Sequence, residues 1–355
     1  MVGPTVDAVD LDITDALQID PRVPWTVIGE LVERSEVSVS RRWRSLNEKG
    51  LAWTGVALHP AASQGAFIEM GCWSDKFQPL IDQLVEHPDV ITVGSTTGDF
   101  NLYCIVIGVS LEGVLNRIDQ GLPELRLCER VRINLFHQIA GGVDWRQGII
   151  DVESWRRKGG SRSIAVKELQ RVRNSASESP VAPSVRFRRL FLELGADARR
   201  PLKEVAQALD TTAPVVKRMI SRLVDERQIV FRCDIARPVF DFPIAMVLSL
   251  KTAPEHAEQL AFRIGAWKET RFCASVASTA NLIVVAGLRD LIDGDNFMSK
   301  LTDLEHPVDV VQRAINTHTF KIYGRLLDDT GKSLRHISVD PWAAEYLSTP
   351  GPLDI

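Results

Sequence analysis

The sequence predicts an α+β protein built twice: two tandem copies of a winged-helix/helix-turn-helix unit, each followed by a ferredoxin-like βαββαβ domain. Three observations predict it. The chain matches itself at a shift of 177 residues, each half opens with three short amphipathic helical patterns, and each half then alternates strands and helices in one order. The self-match aligns Asp10–Leu46 with Phe187–Leu223 with seven identities in 37 pairs, where residue frequencies give about two by chance. Leu17/Leu194, Asp20/Asp197, Arg22/Arg199, Pro24/Pro201, Val39/Val216, Arg41/Arg218 and Leu46/Leu223 are the identical pairs. Asp-x-Arg-x-Pro is a turn rather than a periodicity, so a shared helical pattern does not produce it. Farther on the register slips to 180, which sets Asn101-Leu102 against Asn281-Leu282.

The elements follow in order. Val6, Val9, Ile13 and Leu17 recur at helical spacing until Asp20-Pro21-Arg22 stops the first helix. A second helix follows Pro24 (Ile28, Leu31, Val32), and Ser35 caps a third that turns Val39, Trp43 and Leu46 inward, with Gly50 just past its end. Ser38, Ser40, Arg41, Arg42 and Arg44 are left on its outer side. In the second copy Thr212 is the cap, Val216, Ile220 and Leu223 the inward stripe, and Lys217, Arg218, Ser221 and Arg222 the outward set. A helix with serines and arginines facing out after a short turn suits a major-groove reader, because its first amides meet phosphate and arginine donates twice to guanine.

Strand and helix patterns come next: Ala66–Cys72, a helix at Phe77–Glu86, then Val90–Thr97 and Asn101–Val109 joined at Gly98-Asp99, the chain's strongest hairpin signal. A helix at Leu111–Gln120 and a strand at Cys128–Phe136 complete the βαββαβ order. The second copy repeats it with Pro243–Leu250, Glu255–Ile264, Arg271–Ser278, Asn281–Gly287, Asn296–Leu304 and Val310–Phe320. The boundaries that follow are a helix-turn-helix domain at 6–55, a sandwich at 64–138, a linker at 139–184, the second pair at 185–232 and 240–326, and a tail at 327–355. The linker holds seven Lys/Arg against one Glu between Arg156 and Arg173, a solvated connector or a contact to DNA backbone. In the tail Trp342, Tyr346 and Leu347 form an amphipathic stretch that suits docking on a sheet.

Composition narrows the class. At 355 residues, 45% hydrophobic and 25% charged, the chain has globular content for several domains. A net charge of −4 means that nucleic-acid binding has to come from a local basic face. Five cysteines without a C-x-x-C pair argue for reduced thiols and against a zinc ribbon. The longest stretches without charge, Gly50–Ile68 and Phe272–Leu288, are broken by His59-Pro60 or laced with Ser, Thr and Asn, so no membrane span is expected. A soluble cytoplasmic protein is the expectation, with no metal or cofactor, and not an enzyme: no nucleophile elbow, P-loop, dinucleotide fingerprint or H-E-x-x-H is found.

A helix-turn-helix ending EVSVSRRWRSLNEKGL, then βαββαβ with STTGDFNLY at its central hairpin, resembles the Lrp/AsnC family of transcriptional regulators, twice over. The resemblance implies that the helical units bind operator DNA and that the ferredoxin-like (RAM) domains pair through their sheets. It also implies a small, amino-acid-like effector at the glycine-aspartate hairpin. Carried over, the recognition helices fall on Glu36–Glu48 and Ala213–Glu226, and the effector hairpin on Thr97, Gly98, Asp99, Phe100 and Asn101. A tight turn that exposes amides and one carboxylate matches an amino acid's two charges, and it also serves as a plain hairpin. The second copy has Ser278-Thr279 where the first has Gly98-Asp99, which points to a lost or altered effector site. The implied assembly is a pseudo-dimer within one chain, and a homo-oligomer (dimer or tetramer) of such chains.

Two other readings fit the same architecture. Siroheme decarboxylases resemble it and can be fused two per chain, but the His-Arg pair expected before the first sandwich strand is missing from Thr54–Gln64 and Arg232–Phe242, where His59 stands alone. The other is a sensor or scaffold with degenerate helix-turn-helix units, since Met219 and Ile220 replace Arg42 and Trp43 in the second copy.

Overall fold

The computed structural model describes residues 6–143, 145–151 and 182–346. The basic run of the linker and Leu347 lie outside them. Each copy opens with three helices: α1 (Ala8–Ile19), α2 (Trp25–Leu31) and α3 (Glu36–Glu48), then α6 (Arg188–Ala196), α7 (Leu202–Ala208) and α8 (Ala213–Asp225). A hinge strand follows in each, β1 (Ala52–Leu58) and β6 (Ile229–Ile235). The first sandwich is β2 (Gln64–Gly71), α4 (Ser74–Leu84), β3 (Val90–Thr96), β4 (Leu102–Gly108), α5 (Leu111–Gln120) and β5 (Arg130–Gly141). The second is β7 (Ile244–Lys251), α9 (Pro254–Gly265), β8 (Thr270–Ala277), β9 (Leu282–Leu288), α10 (Leu291–Thr302) and β10 (Asp309–Ile322). Two short strands, β11 (Arg325–Leu327) and β12 (Ser333–His336), extend β10. The α+β unit of a helix-turn-helix followed by a ferredoxin-like sandwich is therefore present twice, in tandem.

The two sandwiches do not sit side by side as separate sheets. Their eight strands run β3-β4-β2-β5-β8-β9-β7-β10, and β10 pairs back onto β3, so the sheet closes into a barrel within one chain. Closure removes most free edges that a four-stranded sheet would expose. Its inner face carries Phe67, Ile91, Tyr103, Ile105, Phe136, Val247, Phe272, Val276 and Val285, all buried. The outer faces are sealed by helices: α4 and α5 cover Ile68, Met70 and Cys104, while α9 and α10 cover Met246, Leu248 and Val284. Both faces of these strands are dry, which explains why they read as continuous apolar runs and not as alternation.

The hinge strands cross. β1 and β6 pair antiparallel, and their register sets Gly55 opposite Arg232, its own counterpart at the 177-residue shift. A local pseudo-two-fold axis passes there. The core of the first helical unit (Ile13, Leu17, Trp43, Leu46) is completed by Cys233, Ile235, Ala236 and Phe240 of the second copy. The second unit (Leu190, Phe191, Leu194, Leu223) packs on Val56, Ala57 and Leu58 of the first. The repeated turns interlock as well: Arg199 Nη1 donates to the carbonyls of Pro21 at 2.7 Å and Val23 at 2.9 Å, and Arg22 donates to Ala198. The Asp-x-Arg-x-Pro identity found in the sequence is thus a packing contact between the copies.

Two segments depart from their expected form. Residues 139–143 and 145–151, read as the start of a linker, continue β5 to Gly141 and then fold onto α1, where buried Asp15 accepts from the N–H groups of Gly148, Ile149 and Ile150 at 2.7–2.9 Å. The segment read as a tail builds β12, and Trp342 is buried edge-on against Phe191 with its indole N–H donating to Pro183. Among the described residues no helix is long and apolar enough to cross a membrane.

Candidate DNA-facing helices and an arginine-lined cavity

The outward side chains of α3 divide into two groups. Ser35 accepts from the Ser38 N–H at 3.2 Å, so the cap is formed, and Val39, Trp43 and Leu46 point inward. Arg41 and Arg44 are exposed, with half-exposed Ser38 and Ser40 beside them. Arg42 is turned back onto its own unit, where Nη1 lies 2.9 Å from both Asp7 and Asp10. On α8 Lys217, Arg218 and Arg222 are exposed. Arg222 is paired with Glu226 at 2.7 Å, and Thr212 holds the cap position without a side-chain capping bond. The fold therefore presents Arg41 and Arg44 on one unit and, on the other, Arg218, the counterpart of Arg41, with Lys217, the counterpart of Ser40.

The hairpin residues also separate. Thr97, Gly98 and Asp99 are exposed at the turn, with Gly98 at φ +98°, a conformation that costs glycine little. Thr97 is tied to the second copy: its N–H donates to the Ile315 carbonyl and its hydroxyl accepts from the Ile315 N–H, both at 2.9 Å. Phe100 is buried beneath the guanidinium of Arg132, 4.5 Å from its ring. Asn101 bridges the Cys72 backbone, accepting from its N–H at 3.1 Å and donating to its carbonyl at 2.8 Å. Asn281 makes the same bridge to Thr252 at 3.1 and 2.9 Å.

A third site was not singled out in the sequence. Arg232 from β6, Arg237 from the turn after it and Arg271 from β8 line one small cavity of about 40 Å³ at the mouth of the barrel. Its walls are Ile91, Ile105, Phe272, Val285 and Ile322, with hydroxyls from Thr92, Thr319, Tyr103 and Tyr323. Arg232 is 7% exposed and forked on Asp234 at 2.5 and 2.7 Å, and its guanidinium stacks 3.4 Å above Tyr323. Its Nη1 has no hydrogen-bond partner. Arg271 is 4% exposed and lies 3.3 Å above the Trp145 ring, with Nη1 donating to the Lys268 carbonyl. Nε and Nη2, its outer edge, are unpartnered. Burial, with Arg237 close by, pushes the Arg271 guanidinium well below its ordinary range. A neighbouring cavity shares Arg237, Thr319 and Ile322 with this one and is otherwise lined by Pro238, Phe242, Asn316, His318 and Asp328.

The signal for this cluster lies in the mismatches between the copies. At the 177 and 180 shifts Arg232 replaces Gly55 and Arg271 replaces Ile91. A charge that replaces glycine or an aliphatic inside a strand is the signal by which this cluster could have been found in the sequence.

No family model matches the chain. An HTH-type transcriptional regulator, FL11 of Pyrococcus furiosus, is 26% identical over 118 residues, which span 32% of this chain and 78% of the regulator. FL11 of Pyrococcus horikoshii is 25% identical over the same length. Over a third of its length the chain thus has modest homology to helix-turn-helix transcriptional regulators. Over its whole length it resembles the siroheme decarboxylase NirDL, with TM-score 0.55, 11% identity and coverage of 96% of this chain and 97% of that one. A second structure of NirDL, in complex with an iron-uroporphyrin III analogue, gives 0.53 and 14%. At such identity the likeness establishes the fold. It also corrects one expectation: the chain was read as not an enzyme, and that exclusion does not stand, because the architecture matched along 96% of the chain is that of an enzyme. Missing catalytic motifs were a poor reason to exclude one, since they test for other folds.

Proposed function

We propose that this chain is a DNA-binding transcriptional regulator that presents two unlike recognition helices on one fused pseudo-dimer. The observation that carries the reading is the exposed basic set Arg41, Arg44, Lys217 and Arg218 on two helices whose apolar faces are buried. The homology to helix-turn-helix regulators supports it. Because α3 and α8 differ in sequence, the operator is asymmetric within the stretch one chain covers. A small, amino-acid-like effector at Thr97–Asn101 and association of chains into homo-oligomers complete the proposal. The test is fluorescence anisotropy on double-stranded DNA from upstream of the coding region, over a salt series, with wild type beside Arg41→Ala/Arg44→Ala. The double variant should bind more weakly, and its log–log salt slope should be shallower by about 2, since each lost phosphate contact removes about 0.9. No salt-dependent binding by wild type would sink the reading.

The arginine-lined cavity favours a second reading, in which the barrel acts on an anionic ligand as an enzyme of the siroheme-decarboxylase type. Titration with iron uroporphyrin III tests it. A shifted Soret band and loss of carbon dioxide from the porphyrin would support this reading, and an unchanged spectrum would end it.

A further inference from the structure

We propose that Ser333 of β12 is a positioning residue for DNA reading: docked on Gly50, it fixes the recognition helix α3 against the barrel. The inference rests on the regulator reading and names the element that holds one of its two readers.

The pseudo-symmetry supplies the comparison. Residues 49–51 join α3 to β1, and their counterparts 226–228 join α8 to β6. Both junctions are closed by the same bonds. Gly50 donates to the Asn47 carbonyl at 2.9 Å and Leu51 to that of Leu46 at 2.8 Å, as Arg227 does to Val224 at 3.0 Å and Gln228 to Leu223 at 2.8 Å. The crossing of the hinge strands adds one bond to each. The Ala236 N–H donates to the Leu51 carbonyl at 2.8 Å, and the His59 N–H to that of Gln228 at 3.0 Å. Beyond this matched set, the first junction receives β12: the Ser333 N–H donates to the Gly50 carbonyl at 2.9 Å.

Residue choice at the junction agrees. Gly50 and Arg227 are both left-handed, at φ +67° and +53°, so the turn alone does not demand glycine. The approach of β12 does, because a methyl group on Gly50 would clash with the Ser333 carbonyl oxygen and lie 2.9 Å from its nitrogen.

The arm that delivers Ser333 is itself held on several sides. β11 pairs with the end of β10 and β12 with β11, so the arm continues the barrel sheet. The Ile337 N–H donates to the Gly324 carbonyl at 2.7 Å. Arg335 is paired with Glu86 just beyond α4, and Arg325 donates to the Ala196 carbonyl of the second helical unit. At the tip, a methyl group on Gly331 would lie 2.6 Å from the Pro238 ring. Among the described residues β12 has no counterpart at the second junction, since the first copy's chain folds onto α1 after β5. A side chain that reads base edges has to be held within about 0.5 Å of its working position. A junction ordered before binding removes that cost from association.

The test uses the full chain and two variants. Ser333→Pro removes the donor, and Gly50→Ala displaces β12 should Ser333→Pro fail to fold. Hydrogen exchange read by mass spectrometry is measured without DNA, and anisotropy over the salt series with it. Amides of residues 46–51 should exchange about fivefold faster, the worth of one hydrogen bond, while those of residues 223–228 keep their rate. DNA affinity should fall about fivefold at an unchanged log–log salt slope, because no phosphate contact is lost. Arg41→Ala/Arg44→Ala, by contrast, makes the slope shallower. Unchanged exchange at residues 46–51, equal acceleration at residues 223–228, or wild-type DNA affinity in a folded variant would each overturn the proposal. No salt-dependent binding by wild type would end the regulator reading itself, and this inference with it.

Discussion

His59 shows how a residue's chemistry can be misread until its neighbours are known. In the sequence it is a lone histidine before proline, judged against a porphyrin-binding pair. In the structure it directly follows β1, 4% exposed. Its N–H donates to the Gln228 carbonyl at 3.0 Å, and its Nδ1 accepts from the Ala61 N–H at 3.2 Å, capping the turn at Pro60–Ala62. An accepting Nδ1 carries no proton. Burial, reinforced by Arg227, pushes its pKa from 6.5 to about 4. The folded state therefore holds this proton more weakly than the unfolded chain does. Its contribution to stability is complete above pH 6.5 and is lost as the pH falls through 4. Asn at this position keeps a capping oxygen but cannot titrate. Urea unfolding of wild type and His59→Asn at pH 7 and pH 4 should show the difference between them moving in the variant's favour by up to about 3 kcal/mol, at about 1.4 kcal/mol per pKa unit. A difference that does not change with pH would mean that the folded protein accepts protonated His59.

At the scale of elements the sequence was informative wherever one local cause decided the outcome. Leu111–Gln120 was read with its observed limits because Ser110 caps it and Gly121 follows it. Expected at Asn296–Leu304, α10 instead spans Leu291–Thr302: Asp290 caps it by accepting from Asp293, and Gly294 is buried inside it despite its low helix propensity. The crossing of β1 and β6 had no local signature, because each strand's partner lies in the other copy. The match of Asn101 with Asn281 was legible, but its cause was not. Both amides bridge the backbone just beyond β2 and β7, a folding role common to the two copies. Replacing either with alanine strands an N–H and a C=O, each hydrogen bond contributing about 1 kcal/mol. Asn101→Ala and Asn281→Ala should each lower stability by about 2 kcal/mol in urea melts. A folded Asn101→Ala protein of unchanged stability would instead leave that amide free for an effector.

At the scale of the molecule, the cores decide whether one copy can stand alone. The first helical unit buries Ile13, Leu17 and Trp43 partly against Cys233, Ile235 and Phe240. The barrel needs β10 against β3 and β8 against β5 to close. Cut after residue 151, the first copy would expose the inner face bearing Phe67, Tyr103, Ile105 and Phe136, together with the underside of its own α1. An exposed apolar face of that extent drives association. A second copy of the same fragment could cover it, because the copies are homologous, but Gly55 would then meet Gly55, and the cavity would have Ile91 on both sides and no Arg271. Residues 1–151 alone should therefore sediment as a homodimer or larger species with no folded monomer, whereas the full chain should unfold in one cooperative transition. A monomeric fragment with a sharp thermal transition would show that each copy folds on its own and that the crossing of the hinge strands contributes little to stability.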